Sequence, residues 1–156
     1  MKHKLKKAGM LCLALAAGVW MLAAQDAGPN QYMGETFLSD KVTRSGNISV
    51  ADFLKLMQDT LWVKDKRDGK LIPVGSFVFS YAERNLYEDE TGKPFIMTDL
   101  MYANCKSSLD SGTFVDMRYR AKPGDTAFIE EVRFLNRAQK DKISVFSSPI
   151  KLVLTK

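Results

Sequence analysis

The spacing of apolar residues changes several times along this chain, and the changes divide it into segments. Residues 8–20 form an apolar run without a charge. Residues 25–47 scatter isolated apolar side chains among Gly, Asn, Ser, Asp and Gln at neither helical nor strand spacing, so the segment reads as a tether or loosely docked arm. Regular order begins at Ser49, a good N-cap. Behind it Val50, Phe53, Leu54 and Met57 recur at helical spacing and predict a short amphipathic helix.

From Thr60 the period moves toward two. Leu61 and Val63 alternate with Trp62 and Lys64, and Asp68-Gly69 marks a hairpin turn. Residues 71–82 read as one long strand with Phe77, Phe79 and Tyr81 on one face and Val78, Ser80 and Ala82 on the other. Glu88-Asp89-Glu90, followed by Thr91-Gly92-Lys93-Pro94, is a charged loop by its turn chemistry. Thr98 then resembles an N-cap for a helix over 99–105, with Leu100, Met101 and Ala103 on its apolar side. Residues 107–112 are loop-like. Residues 113–120 fit either a strand, by the alternation of Val115, Met117 and Tyr119, or two turns of helix, by length. Lys122-Pro123-Gly124-Asp125 is a turn before a strand over 126–135, and 136–142 is a polar turn. Strands over 143–146 and 150–155 follow, the last with Ile150, Leu152 and Leu154 on one face. Short strands at this spacing, with two helical pieces, predict a mainly β domain, a sandwich with short helices.

The charge pattern changes the reading of the N-terminus. Lys2, Lys4, Lys6 and Lys7 precede the apolar run, and Ala23-Ala24 precede Gln25-Asp26, as in an export signal with a small-residue cleavage site. A retained anchor is the alternative, although 8–24 spans only about 25 Å as a helix against a roughly 30 Å hydrocarbon core. The plan is therefore a leader over 1–24, a flexible arm over 25–45 and one β domain over 46–156, located in the periplasm, at the cell surface or outside the cell. The whole chain has 23 Lys plus Arg against 18 Asp plus Glu. Taking the four leader lysines from the 23 leaves 19 against 18, a net charge near +1. No basic stripe remains to supply counterion release, which sets nucleic acid aside. Membrane contact is expected only through an uncleaved leader.

The sole histidine, His3, also lies in the leader. A Ser-His-Asp triad, a Cys-His nucleophile and a histidine-ligated zinc site then lack a member, and no Walker or dinucleotide glycine motif is present. With Cys12 removed, Cys105 has no disulfide partner; it reads as a buried small hydrophobe or a reactive thiol. Neighbouring Glu130 and Glu131 would point to opposite faces of a strand, so they cannot flank one scissile bond. Asp110, Asp116 and Asp125 sit in no EF-type loop. Neither metal nor cofactor is expected. Trp62, Tyr87 and Tyr102, near turns or element ends, are the surface aromatics best placed for binding. Tyr87 with Glu88, Asp89 and Glu90, in the loop over 85–94, is the candidate docking rim: a rigid anchor beside charges that steer a basic partner.

Three segments in order carry a family resemblance: Gly46-Asn47-Ile48-Ser49-Val50-Ala51-Asp52-Phe53-Leu54, then Pro73-Val74-Gly75-Ser76-Phe77-Val78-Phe79, then Lys122-Pro123-Gly124-Asp125 running into Phe128-Ile129-Glu130-Glu131-Val132. Together with the closing Pro149-Ile150-Lys151-Leu152-Val153-Leu154, they resemble the C-terminal domain of the gliding-motility protein GldM and its type IX secretion counterpart PorM. The resemblance covers about 44–156. The chain departs from the pattern by roughly ten extra residues between Thr98 and Lys122, and lacks the family's preceding periplasmic shaft. The resemblance implies an immunoglobulin-like β fold used for protein contacts in the periplasm, and helix somewhere before Lys122.

The function expected on these grounds is a non-enzymatic, exported interaction domain that docks an envelope protein, an accessory of gliding or type IX secretion-like machinery. A glycan- or peptide-binding β-sandwich is the alternative, and a carboxylate-dependent hydrolase the third class. Convergence of Trp62, Tyr87 and Tyr102 on one concave patch would favour the second, and two carboxylates converging in a cleft the third. Intact-mass measurement on envelope material should give a chain beginning at or near Gln25. The mass of all 156 residues would show a retained anchor instead.

Overall fold

A computed structural model describes residues 32–135 and 144–156. The leader, residues 25–31 of the arm, the polar turn over 136–142 and Ile143 lie outside the described residues. The elements run β1 (Gly34–Phe37), β2 (Gly46–Ser49), α1 (Val50–Met57), β3 (Trp62–Asp65), β4 (Leu71–Pro73), β5 (Ser76–Glu88), β6 (Pro94–Cys105), α2 (Ser111–Arg120), β7 (Thr126–Leu135), β8 (Ser144–Phe146) and β9 (Ile150–Thr155). A small sheet has the order β1-β3-β4, and a large one the order β2-β9-β7-β5-β6 with β8 beside β7. The fold is mainly β, a sandwich with short helices, as the sequence predicts.

Ser49 caps α1 as expected: its hydroxyl accepts from Asp52 N–H at 3.0 Å. Capping fixes where the helix starts, and its period then turns Phe53 and Met57 into the core, where both are fully buried. The Phe53 ring lies 6.5 Å from both Phe79 and Tyr81, which are themselves 6.2 Å apart on β5. Helix α1 thus covers the inner face of the large sheet, and Met117 of α2 is fully buried in the same core.

Several expectations are corrected. The arm over 25–45 is ordered structure from Gly34 onward: β1 pairs antiparallel with β3, and Leu38 is fully buried. The hold is tertiary. The Thr36 hydroxyl lies 2.9 Å from Ser147 Oγ, across 111 residues of chain, and a Cβ at Gly34 would stand 2.3 Å from a Val63 methyl. The single strand over 71–82 is two strands in different sheets. At the break, Val74 N–H donates to Leu61 O at 3.0 Å and Gly75 N–H to Arg133 O at 2.8 Å, handing the chain from one sheet to the other.

The helix expected over 99–105 is strand β6, in unbroken antiparallel register with β5 from Phe77↔Cys105 to Glu88↔Pro94. Segment 113–120, open between strand and helix, is helical. Asp110 caps α2 by accepting from Thr113 N–H at 3.0 Å, and of the three alternating apolar residues only Met117 is buried. Glu130 and Glu131 do not point to opposite faces. The β5–β7 register shifts between Val78↔Glu130 and Ser76↔Arg133, with Glu131 at φ 47°, so a bulge sends both side chains to solvent. The extra residue restores the phase, and Ala127, Ile129, Val132 and Phe134 all face inward.

Phe53→Ala should remove the ring on which α1 is seated and lower unfolding free energy by about 3–5 kcal/mol, read from the midpoint of a denaturant titration.

Candidate protein-interaction surface

Strands β5 and β6 outrun the rest of their sheet. β7 pairs with β5 only as far as Ala82↔Thr126, whereas β6 stays paired to Glu88. Residues 83–88 and 94–99 therefore form a two-stranded arm. Directly opposed residues share a face. One face carries Glu83, Asn85, Tyr87, Phe95, Met97 and Asp99; the other carries Arg84, Leu86, Glu88, Ile96, Thr98 and, at its base, Leu100.

A hydrogen-bond network pins the first face. Asp125, with no exposed surface, accepts from Tyr81 Oη at 2.6 Å, Arg84 N–H at 2.8 Å and Lys122 N–H at 3.2 Å. Burial and the bond to Asp125 push the Tyr81 hydroxyl far above its ordinary range, so it stays a donor. One step out along the arm, Glu83 accepts from Arg120 Nε at 2.9 Å and Lys122 Nζ at 2.9 Å. Burial alone would raise the Glu83 pKa, but hydrogen bonds from Lys122 and Arg120 outweigh it and hold the carboxyl below its ordinary value. Asp99 accepts from Asn85 Nδ2 at 2.7 Å and Tyr87 Oη at 2.8 Å, and those bonds lower its pKa too.

Glu83 and Asp99 oppose one another across the ladder. Both are held ionised, and each is occupied by fixed donors. The arrangement supplies no protonated carboxyl for general acid chemistry. Among the described residues no group of three or more His, Cys, Asp or Glu side chains is placed to hold a metal ion. Cys105 is buried and free, and burial pushes its thiol upward, away from a reactive thiolate.

The second face of the arm is different. Leu86 is 71% exposed, Ile96 59% and Leu100 60%. Tyr102, 65% exposed, continues the same face toward the body of the sheet, where Val78, Ala82 and Phe128 are half-buried. A groove of ≈ 220 Å³ lies at its margin, between Leu86, Ile96 and Arg84 on the arm and Pro123-Gly124 of the turn before β7.

The residues singled out from sequence are thus dispersed. Tyr87 is on the pinned face, its ring 6.0 Å from Phe95; Tyr102 is on the other; Trp62 belongs to β3 in the other sheet. No concave aromatic patch unites them. An open groove of ≈ 490 Å³ does run past Trp62, but Lys41 Nζ lies 4.3 Å over its ring and takes the face a sugar would stack on. The loop over 85–94 shrinks to a tight turn. Asp89 Oδ1 accepts from Thr91 N–H at 2.9 Å and Lys93 N–H at 2.9 Å, and Gly92 adopts φ 79°. Asp89 is committed to the turn, whereas Glu88 and Glu90 are exposed and make no ion pair with a described residue. Sequence reasoning misses Leu86 because 85–94 reads as a loop, and Leu100 because 99–105 reads as a helix, and it leaves Ile96 between the two. The spacing Asp89-Glu90-Thr91-Gly92 was the available signal, since a Gly closing a type I turn makes a hairpin and requires a strand to follow.

No family model and no curated protein matches the chain. Among the described residues no helix is long and apolar enough to cross a membrane.

Because the folded pKa of Glu83 is depressed, its stabilisation is complete above its ordinary value of 4.5 and is lost as pH falls through the lower folded value. Thermal melts should show Glu83→Gln less stable at neutral pH and less sensitive to acidification below pH 4.5 than wild type. Parallel pH profiles would exclude this role for the pair of cations.

Proposed function

We propose that this chain is a non-enzymatic protein-interaction domain exported to the bacterial cell envelope, with the β5–β6 arm as its contact element. One observation carries the reading. A two-stranded ribbon is marginally stable in water, and this one exposes Leu86, Ile96 and Leu100 on a face that no other strand or helix of the described residues covers. Scattered exposed apolar residues are normal, but Leu86 and Ile96 directly opposed, with Leu100 on the same face beyond the Arg84–Thr98 pair, group on a projecting ribbon as interface residues do. The Asp125 and Glu83 contacts support this by holding the other face rigid, so little ordering entropy is lost on docking.

The resemblance to the GldM and PorM C-terminal domain bears on the same proposal. It suggests an accessory of gliding or type IX secretion-like machinery, with the turn carboxylates Glu88 and Glu90 steering a basic partner toward the tip.

Envelope capture of wild type and variants, with identification of the co-purifying protein, tests this. Leu86→Ser with Ile96→Ser should cut recovery, a hot-spot loss of about 2 kcal/mol weakening binding roughly thirtyfold, while the melting temperature stays close to wild type. Glu88→Lys with Glu90→Lys should slow association and reverse its salt dependence. Undiminished recovery with all four substitutions, at wild-type stability, would remove the arm from function.

A further inference from the structure

The outer edge of β6 has no neighbour among the described strands, since β6 ends the order β2-β9-β7-β5-β6. It is twelve residues long, in unbroken register with β5. Exposed edges are ordinarily guarded by a bulge, a central proline or inward-pointing lysines. Here the only proline is Pro94, at the strand's first position, and the only charge is Asp99, held by Asn85 and Tyr87 on the pinned face. Among the described residues nothing guards the edge.

The direction of its backbone groups follows from the hairpin. Asp89 N–H donates to Lys93 O at 3.0 Å, making that pair hydrogen-bonded, and hydrogen-bonded pairs alternate along an antiparallel ladder. Phe95, Met97, Asp99, Met101, Ala103 and Cys105 therefore turn their backbone groups toward β5. Ile96, Thr98, Leu100, Tyr102 and Asn104 turn theirs to the open edge.

We infer that this edge pairs antiparallel with the same edge of a second copy, about a two-fold axis through Leu100. The inference rests on the reading of the chain as an interaction domain and names one partner, itself. Three features of the edge fit a copy better than an unrelated strand. First, Leu100 lies at the boundary between the arm half of β6, 94–99, and its body half, 100–105, and the halves are equal in length. A two-fold there lays each projecting arm along the body edge of the other copy. Second, the pairing keeps the faces in phase. It opposes Leu100 with Leu100, Thr98 with Tyr102 and Ile96 with Asn104, all edge-directed residues on the exposed face, so the Leu86, Ile96 and Leu100 rows of both copies merge. On the other face it opposes Phe95 with Cys105 and Met97 with Ala103, bringing the arm's half-exposed aromatic and Met beside the partner's core. Shifting the axis by one residue, to Asp99, would place two carboxylates directly opposite. Third, charge is complementary: exposed Lys106, just past the strand, comes beside Pro94 of the other copy, whose β5 neighbour is Glu88.

Sedimentation velocity on the purified full chain, from low to hundreds of micromolar, should show a concentration-dependent dimer. Leu100→Lys, at a side chain already in solvent, should be monomeric with an unchanged circular dichroism spectrum. In a Cys12→Ala, Cys105→Ala background, Leu100→Cys should form an oxidised dimer, because opposed hydrogen-bonded residues about 5.5 Å apart are within disulfide range. Asn104→Cys, opposed to Ile96, should not cross-link with itself. A wild type that stays monomeric throughout, or a dimer that survives Leu100→Lys with no Leu100→Cys cross-link, overturns the inference. A monomer whose envelope capture still fails on Leu86→Ser with Ile96→Ser assigns the edge to a different protein, leaving the interaction function standing while second-copy pairing falls.

Discussion

A single buried carboxylate organises the end of the large sheet from which the arm departs. Asp125 sits on no exposed surface and accepts from the Tyr81 hydroxyl and the N–H groups of Arg84 and Lys122. A carboxylate without donors at this depth would cost several kcal/mol, so the three donors are a condition of the fold. Its own backbone extends the hold to β9, since Leu154 N–H donates to Asp125 O at 2.9 Å and Gly124 N–H to Leu154 O at 2.8 Å. Central strand, helix exit and closing strand meet at one residue.

The arm inherits its asymmetry from this anchor. Where β7 ends, β5 would have lost a neighbour and gained only solvent. Instead the end of α2 and the turn after it supply Arg120 and Lys122, which cover Glu83 and Asn85 from one side. Among the described residues no side chain hydrogen-bonds over Leu86, Ile96 or Leu100, and only the Pro123-Gly124 turn comes to the groove beside Leu86 and Ile96. One face of the ribbon is thus tied down at its base by fixed polar contacts, with Phe95 and Met97 half-exposed beyond them, while the other leaves Leu86, Ile96 and Leu100 in solvent.

How much of this was legible in the sequence depended on whether the determinants were local. The start of α1 is written in Ser49 and Asp52, three residues apart, and β9 in the alternation of Ile150, Leu152 and Leu154. Turns at Asp68-Gly69 and Lys122 to Asp125 were equally plain. β6 was not, because its apolar residues occupy both faces and leave no period of two, while Thr98-Asp99 imitates a cap. β1 depends on Thr36 meeting Ser147 and on Gly34 fitting under Val63, contacts no local pattern encodes. The glutamate pair needed a bulge visible only once Val78 and Ser76 are seen to skip a residue on β7. Of the candidate site, Tyr87 lies within strand β5 and not in a loop, Asp89 is turn structure, and the apolar residues of β6 carry no local period that would mark them.

The parallel pairing of β2 with β9 has a consequence in time. Gly46 aligns with Leu152 and Ser49 with Thr155, and Ser45 Oγ accepts from Lys151 N–H across 106 residues. The edge of the large sheet on that side stays open until the residues of β9 have been synthesised, and such distant pairing is slow to form. Helix α1 follows β2 directly, so the seating of Phe53 waits on the same event. Until β9 has been made, neither the outer half of the large sheet nor the seat of Phe53 can be completed, so the order of synthesis sets the order of folding.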